Sequence, residues 1–228
     1  MMRICERNSR ETARDYALRM IIENIISLNL EPGSLMSENE LSAEIGLSRT
    51  PIREALIELS KAEIVEIIPQ RGSRIKLIDY NCVEEARFMR LTLENAIVEL
   101  ACEQITDLDL SRIEENIKLQ ELCTNPSRLL ELDDDFHSEL FRLCNKTRTH
   151  QMIKSVTIHF DRVRGMSLTV VEGSTIVNDH KNIIQAIREN DPEKARALMT
   201  KHLSRYRIDM DAIKQKYPHY IDKTSENI

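Results

Sequence analysis

Between about residues 10 and 28 the apolar residues Leu18, Ile21, Ile22, Ile25 and Ile26 recur at helical spacing, with Arg14 and Arg19 turned outward, so the pattern predicts a first helix. The turn Glu31-Pro32-Gly33-Ser34 ends it, and Leu35-Met36 lead into the next element. There Ser37 and Glu40 have the spacing of a capping box, Leu41 and Ile45 form a short apolar stripe, and Gly46 offers the left-handed residue that closes a helix. A further short helix begins at Ser48, a residue able to cap it. Pro51 fits its first turn, and Ile52, Ala55, Leu56 and Leu59 line one side. Two β-branched runs, Ile64–Ile68 and Ser73–Ile78, flank Pro69-Gln70-Arg71-Gly72 and predict a hairpin.

At Asp79-Tyr80-Asn81 the period of two stops, and Asn81 with Glu84 predicts a capping box. Helical stretches are expected near 82–104, 107–123, 126–144, 148–163, 178–190 and 192–217. The expected fold is therefore mainly α. A winged helix-turn-helix domain spans 1–78, with its helix pair at about 37–56 and its wing at about 64–78; an all-helical bundle able to hold a ligand spans 79–228.

The net charge of −6 argues against indiscriminate coating of nucleic acid, so any DNA contact must come from a local basic patch. The absence of Trp among few aromatic residues argues against a stacking platform for single strands. Cys5, Cys82, Cys102, Cys123 and Cys144 are odd in number and lack paired metal or redox spacing, and no apolar run suits a signal peptide or a membrane span. A cytoplasmic chain with reduced thiols, not associated with membrane, is the expectation.

Arg49 and Arg53 stand four apart, so both guanidinium groups leave one face near the start of their helix, opposite its apolar side. Arginine there suits guanine edges or phosphate, although a solvated face paired with carboxylates has the same spacing. Arg71, Gly72 and Arg74 put two cations and an exposed backbone at the hairpin tip, either as a wing reaching DNA or as a plain cap on the core. Asp133 and His137 likewise share a helix face. His180 and His202 are 22 residues apart, roughly 33 Å on one straight helix, which is too far for one ion. Asp191-Pro192, however, is a cap followed by a first-turn proline, and each histidine lies eleven residues from Asp191. A helical hairpin folded there brings them level. One carboxylate and three imidazoles then suit zinc or another first-row divalent ion; helix-surface histidines are the alternative.

Residues about 10 to 78 resemble the winged helix of GntR-type bacterial regulators. The likeness is carried by Tyr16, Leu18-Arg19, Leu30, Pro32-Gly33, Leu35, Glu38, Leu41, Gly46, Ser48 through Leu56, Leu59, Pro69 and Arg71-Gly72. It implies operator DNA contacts at Ser48, Arg49, Thr50 and Arg53, with the wing tip at Arg71-Gly72 in the minor groove. Two positions depart from the pattern: Glu63 replaces a usual glycine, and Asn39 stands where some members have a phosphate-binding arginine. Residues about 79 to 217 resemble the FCD effector domain of the FadR-type branch, through Arg90 with Glu94, Asp133, Phe136-His137, His180, Ile184, Ala186-Ile187, Asp191, Ala195, Met199 and His202. Asn145-Lys146 stands where that pattern tends to have glycine then asparagine. This second resemblance implies a divalent metal (zinc, nickel or manganese) on Asp133, His137, His180 and His202, and a role for Arg90 in holding a carboxylate-bearing effector.

The leading expectation is a transcription regulator, a repressor by family habit. It binds a palindromic double-stranded operator as a homodimer and responds to a small organic acid at the metal. A metal-dependent hydrolase or lyase using the Asp/His set is the alternative from another class, although no separate general base can be placed; an architectural DNA binder with a purely structural bundle is a third.

Overall fold

The structure, a computed structural model, describes residues 2–106, 109–170 and 173–225. Helix α1 (Ala13–Ile26) starts at Thr12, whose side chain accepts from the Asp15 N–H. A two-residue strand β1 (Leu35–Met36) precedes α2 (Glu38–Ile45), where Ser37 and Glu40 form the expected capping box and Gly46 closes the helix at φ 75°. Helix α3 (Arg49–Lys61) and the hairpin β2 (Val65–Ile68) and β3 (Gly72–Ile75) complete the winged unit. The antiparallel sheet runs β1-β3-β2, with Leu35 opposite Arg74 and Val65 opposite Ile75. Strand β1 was not expected from the pattern, because two residues carry no period. It explains Gly72: a Cβ there would sit 2.6 Å from the Met36 carbonyl oxygen.

Ala17, Met20 and Ile21 of α1 pack on Ile52, Ala55 and Leu56 of α3, forming one apolar cluster with Ile64 and Ile75. A second cluster fills the bundle of α4 (Tyr80–Gln104), α5 (Ser111–Leu122), α6 (Pro126–Leu143), α7 (Thr147–Ser167), α8 (Ser174–Arg188), α9 (Pro192–Leu203) and α10 (Tyr206–Lys216). Val98, Phe136, Phe160, Ile183 and Met199 lie at its centre. Helix α7 serves both clusters: its Ile158 is buried in the first and its Phe160 in the second. Among the described residues no helix is long and apolar enough to cross a membrane.

Three local expectations are corrected. Asp79, not Asn81, caps α4, by accepting the Asn81 N–H at 2.8 Å; the cap lies two residues earlier because Asp79 already has the extended backbone a cap requires. The stretch 192–217 is two helices, not one. After Leu203 the main-chain bonds shorten to three-residue spacing, as in Arg205 N–H to the His202 carbonyl, while the Arg205 side chain turns to Asp179. Helix α7 also runs further than expected, to Ser167. The start expected for α5 at Asp107 lies outside the described residues.

Both departures at glycine positions are accommodated by left-handed residues. Asn145 closes α6 at φ 56° with Lys146 N–H bonded to the Phe141 carbonyl. Glu63 closes α3 at φ 58°, with Ile64 N–H on the Leu59 carbonyl and Glu63 N–H on that of Ser60, the Schellman pattern. A side chain in that conformation costs about 1 kcal/mol, and the Lys76 partner of Glu63, at 3.2 Å on the surface, offsets little of it. Glu63→Gly is therefore expected to raise the urea midpoint by an amount worth about 1 kcal/mol with an unchanged slope; an unmoved midpoint would show that the turn is not strained.

Candidate nucleic-acid interface and candidate metal centre

Helix α3 buries Ile52, Ala55, Leu56 and Leu59 and leaves Ser48, Arg49, Thr50 and Arg53 exposed at its first turns. Ser48 is the N-cap residue, but its side chain makes no capping hydrogen bond, which corrects the expected cap and leaves its hydroxyl on the exposed side. One carboxylate gathers both arginines. Arg53 donates through Nε and Nη2 to the two oxygens of Glu38, each at 2.8 Å, and Arg49 donates to Oε2 at 3.2 Å. The Arg53 guanidinium holds the Glu38 carboxyl below its usual range, against the opposing effect of burial. Glu38 sits in the first turn of α2, where a negative charge also suits the helix dipole. Its role was missed because only the crossing of α2 over α3 brings it to residues 11 and 15 positions away. At the hairpin tip Arg71 is exposed, whereas Arg74 is half-buried and faces Glu66 across the strands at 3.4 Å.

The second constellation lies inside the bundle. Asp133 and His137 come from α6, His180 from α8 and His202 from α9, and all four are buried. The turn at Asp191 folds α9 back on α8: the Asp191 side chain accepts the Lys194 N–H at 2.9 Å and Pro192 opens the helix. Nε2 of His202 stands 3.2 Å from Nε2 of His137 and 3.4 Å from Nε2 of His180, and Asp133 Oδ1 stands 3.3 Å from Nε2 of His180. One donor atom from each residue lies within 4.8 Å of every other. A metal–nitrogen bond of about 2.1 Å places neighbouring ligand atoms about 3.0–3.4 Å apart, so the spacing fits a first-row divalent ion. The surface-histidine alternative is excluded by burial.

The outer ring atoms decide the chemistry of the inner ones. His137 Nδ1 meets Glu94 Oε2, His180 Nδ1 lies 2.8 Å from Gln120 Oε1, and His202 Nδ1 lies 3.7 Å from Asp179 Oδ2. Acceptors beside the Nδ1 of His137 and His180 put the proton there and turn their Nε2 lone pairs inward, which is favourable when a cation sits between them, whereas Asp179 lies beyond hydrogen-bond reach of His202 Nδ1. Burial pushes His137 down to about 3 and His180 down to about 4, so both rings are neutral and ready to ligate. Asp133, despite burial, is held well below its usual range, chiefly by the Arg164 cation on its Oδ2. Arg90 lies in the same network: its Nε donates to Glu94 Oε1 at 2.5 Å, its Nη1 to Asp161 at 3.3 Å, and its guanidinium stacks over Phe160. Beside Asp133 and His202 is a cavity of about 40 Å³ onto which Arg164 and Arg205 open. Sequence reasoning missed Arg164, Arg205, Gln120 and Asp179, which carry no spacing signal of their own.

Residues 15–75 match the family profile described as bacterial regulatory proteins, gntR family, and residues 85–205 match the FCD domain. The chain is 30% identical over 217 residues to an HTH-type transcriptional regulator in an unstable DNA locus of Streptomyces ambofaciens, covering 94% of this chain and 92% of that one. It is 29% identical over 213 residues to the HTH-type transcriptional repressor RspR of Escherichia coli (strain K12), covering 92% and 93%. Among solved structures, E. coli McbR/YncC superposes with a TM-score of 0.75 at 18% identity, over 90% of this chain and 99% of that one, a likeness of fold.

Glu94→Gln keeps the shape but removes the charge that fixes the His137 ring. It is expected to weaken zinc binding by about 10–100-fold in a competition titration with helix content unchanged; an unaltered affinity would remove Glu94 from the support of the centre.

Proposed function

The chain belongs to the GntR family of bacterial regulatory proteins and carries an FCD domain behind its helix-turn-helix, and from this we propose an effector-responsive repressor that works as a homodimer in the cytoplasm. That it is a DNA-binding transcription regulator follows from the family. Its relatives are regulators rather than enzymes, which ends the hydrolase alternative.

In this reading residues 1–78 are the DNA-binding unit and 79–228 the effector unit. Ser48, Arg49, Thr50 and Arg53 meet bases or phosphates in the major groove, and Arg71 with Gly72 follows the minor groove. The observation that carries the reading is the division of α3 into a buried apolar face and an exposed arginine face. Glu38 holds the two forks in register until phosphate or a base edge competes for them. One such helix reads only a few base pairs, so a two-fold pair on half-sites about one helical turn apart is the natural assembly.

Asp133, His137, His180 and His202 would hold a divalent ion, which would supply Lewis-acid attraction for an oxygen ligand of the effector. Arg164 and Arg205 flank the adjoining cavity and would pair with the effector's carboxylate. Arg90, expected at the effector, supports the centre through Glu94 and His137. An effector changes operator affinity only by binding the two arrangements of the winged helices unequally.

Arg49→Ala and Arg53→Ala are each expected to lower affinity for an operator selected from random duplexes by about tenfold or more, with assembly in sedimentation unchanged. Unchanged affinity in both would overturn the docking. For the centre, a native mass spectrum is expected to show about one divalent ion per chain, and none after incubation with zinc, nickel or manganese would overturn it.

A further inference from the structure

The chain between β3 and α4 is bonded on three sides. Lys76 N–H donates to the Ile64 carbonyl at 2.9 Å, and the Lys76 carbonyl accepts from Arg162 of α7 at 2.6 Å. Ile78 pairs in parallel with Ile221. Its N–H donates to the Tyr220 carbonyl at 2.8 Å, and its carbonyl accepts the Asp222 N–H at 2.9 Å. Both isoleucine side chains are buried. Immediately afterwards Asp79 caps α4, so Lys76, Ile78 and Asp79 of the joint are each committed to a partner.

The segment that reaches Ile78 is itself anchored. Tyr217 stacks on Tyr220 with ring centroids 5.4 Å apart, its hydroxyl is 2.8 Å from Thr169 Oγ1, and Lys216 Nζ donates to the Thr169 carbonyl at 2.8 Å. The Tyr220 phenol faces Glu31 in the α1–β1 turn; burial and that carboxylate push it up. The same segment therefore touches the bundle, the joint and the winged unit. It lies beyond residues 15–75 and 85–205, the parts matched to the two family profiles.

We propose that Tyr217–Asp222 is an intramolecular strap that clamps the joint through Ile78 and so fixes the winged helix against the bundle in one orientation. A joint between domains is ordinarily exposed and loosely held; here a two-strand ladder uses both main-chain groups of Ile78. Arg162 acts on the joint in two ways: its Nη2 holds the Lys76 carbonyl, while the burial of the rest of its guanidinium opposes closure. It is wholly buried at the joint, and its Nε and Nη1 have no hydrogen-bond partner among the described residues. A buried cation without a carboxylate is costly, so opening the joint would hydrate it. Ladder and buried charge thus pull in opposite directions, which gives the joint a held state and a released state. Release of the strap would free the recognition helix to take another angle on DNA.

Asp222→Pro in the full-length chain removes the N–H that the Ile78 carbonyl accepts together with the carboxylate that Thr224 donates to, so it is read against Asp222→Ala, which loses the carboxylate alone; a chain stopped after Lys216 removes the strap entirely. Two readouts follow the joint: the rate of trypsin cleavage after Lys76, and hydrogen exchange of the peptide containing Ile78. Both are expected to quicken by about tenfold in Asp222→Pro, in line with one lost main-chain bond, and further in the shortened chain, with exchange in α6 and α8 unchanged. Unchanged cleavage and exchange at the joint in Asp222→Pro would overturn the proposal. So would acceleration spread evenly through α4 to α9, which would mark general loosening of the bundle. Neither result depends on operator or metal binding.

Discussion

Four donor groups from three helices share one point in an apolar core, and the polar groups drawn in behind them organise the bundle. Three partners come from further elements, Glu94 from α4 for His137, Gln120 from α5 for His180 and Arg164 of α7 for Asp133, while Asp179 of α8 faces His202 Nδ1 from 3.7 Å. Each partner is itself held, Glu94 by Arg90 and Asp179 by Arg205. The network ties α4 through α9 to one centre. The apolar residues around it, Phe136 stacked on His180 among them, bury the site and keep His137 and His180 neutral.

At the other end of the molecule charge is handled on the surface. Glu38 draws Arg49 and Arg53 together in the open, where ion pairs are weak and exchange readily for a phosphate. On a chain with a net charge of −6, these two cations are gathered on one exposed face of a short helix, the local basic patch that the proposed DNA docking requires. The contrast in burial suits the two proposed tasks: an exposed pair free to change partners, and a buried set held in one geometry.

Helix α7 joins these regions. Its Ile158 enters the apolar cluster of the winged unit, His159 donates through Nε2 to the Ala62 carbonyl at the end of α3, and Gly165 passes so close to α1 that a Cβ would lie 2.6 Å from the Ile26 carbonyl oxygen. From the same helix Arg164 reaches Asp133. One helix thus contacts α1 and α3 on one side and the donor set on the other.

The sequence by itself determined what local chemistry can determine. Ser37 with Glu40 and Gly46 bound a helix, the period of Ile52, Ala55, Leu56 and Leu59 chooses its buried side, and Asp191-Pro192 turns one helix back on another, so His180 and His202 come level. The family resemblance then named the four donors together. Only the tertiary structure decided what depends on groups distant in the chain: Glu38 beneath two arginines, Arg164 and Gln120 behind the donors, strand β1 against Gly72, and Ile221 beside Ile78. These contacts have no period and no fixed spacing. They exist because helix crossings and one short ladder bring buried polar groups within hydrogen-bond reach, and a buried polar group must find its partner wherever the fold supplies one.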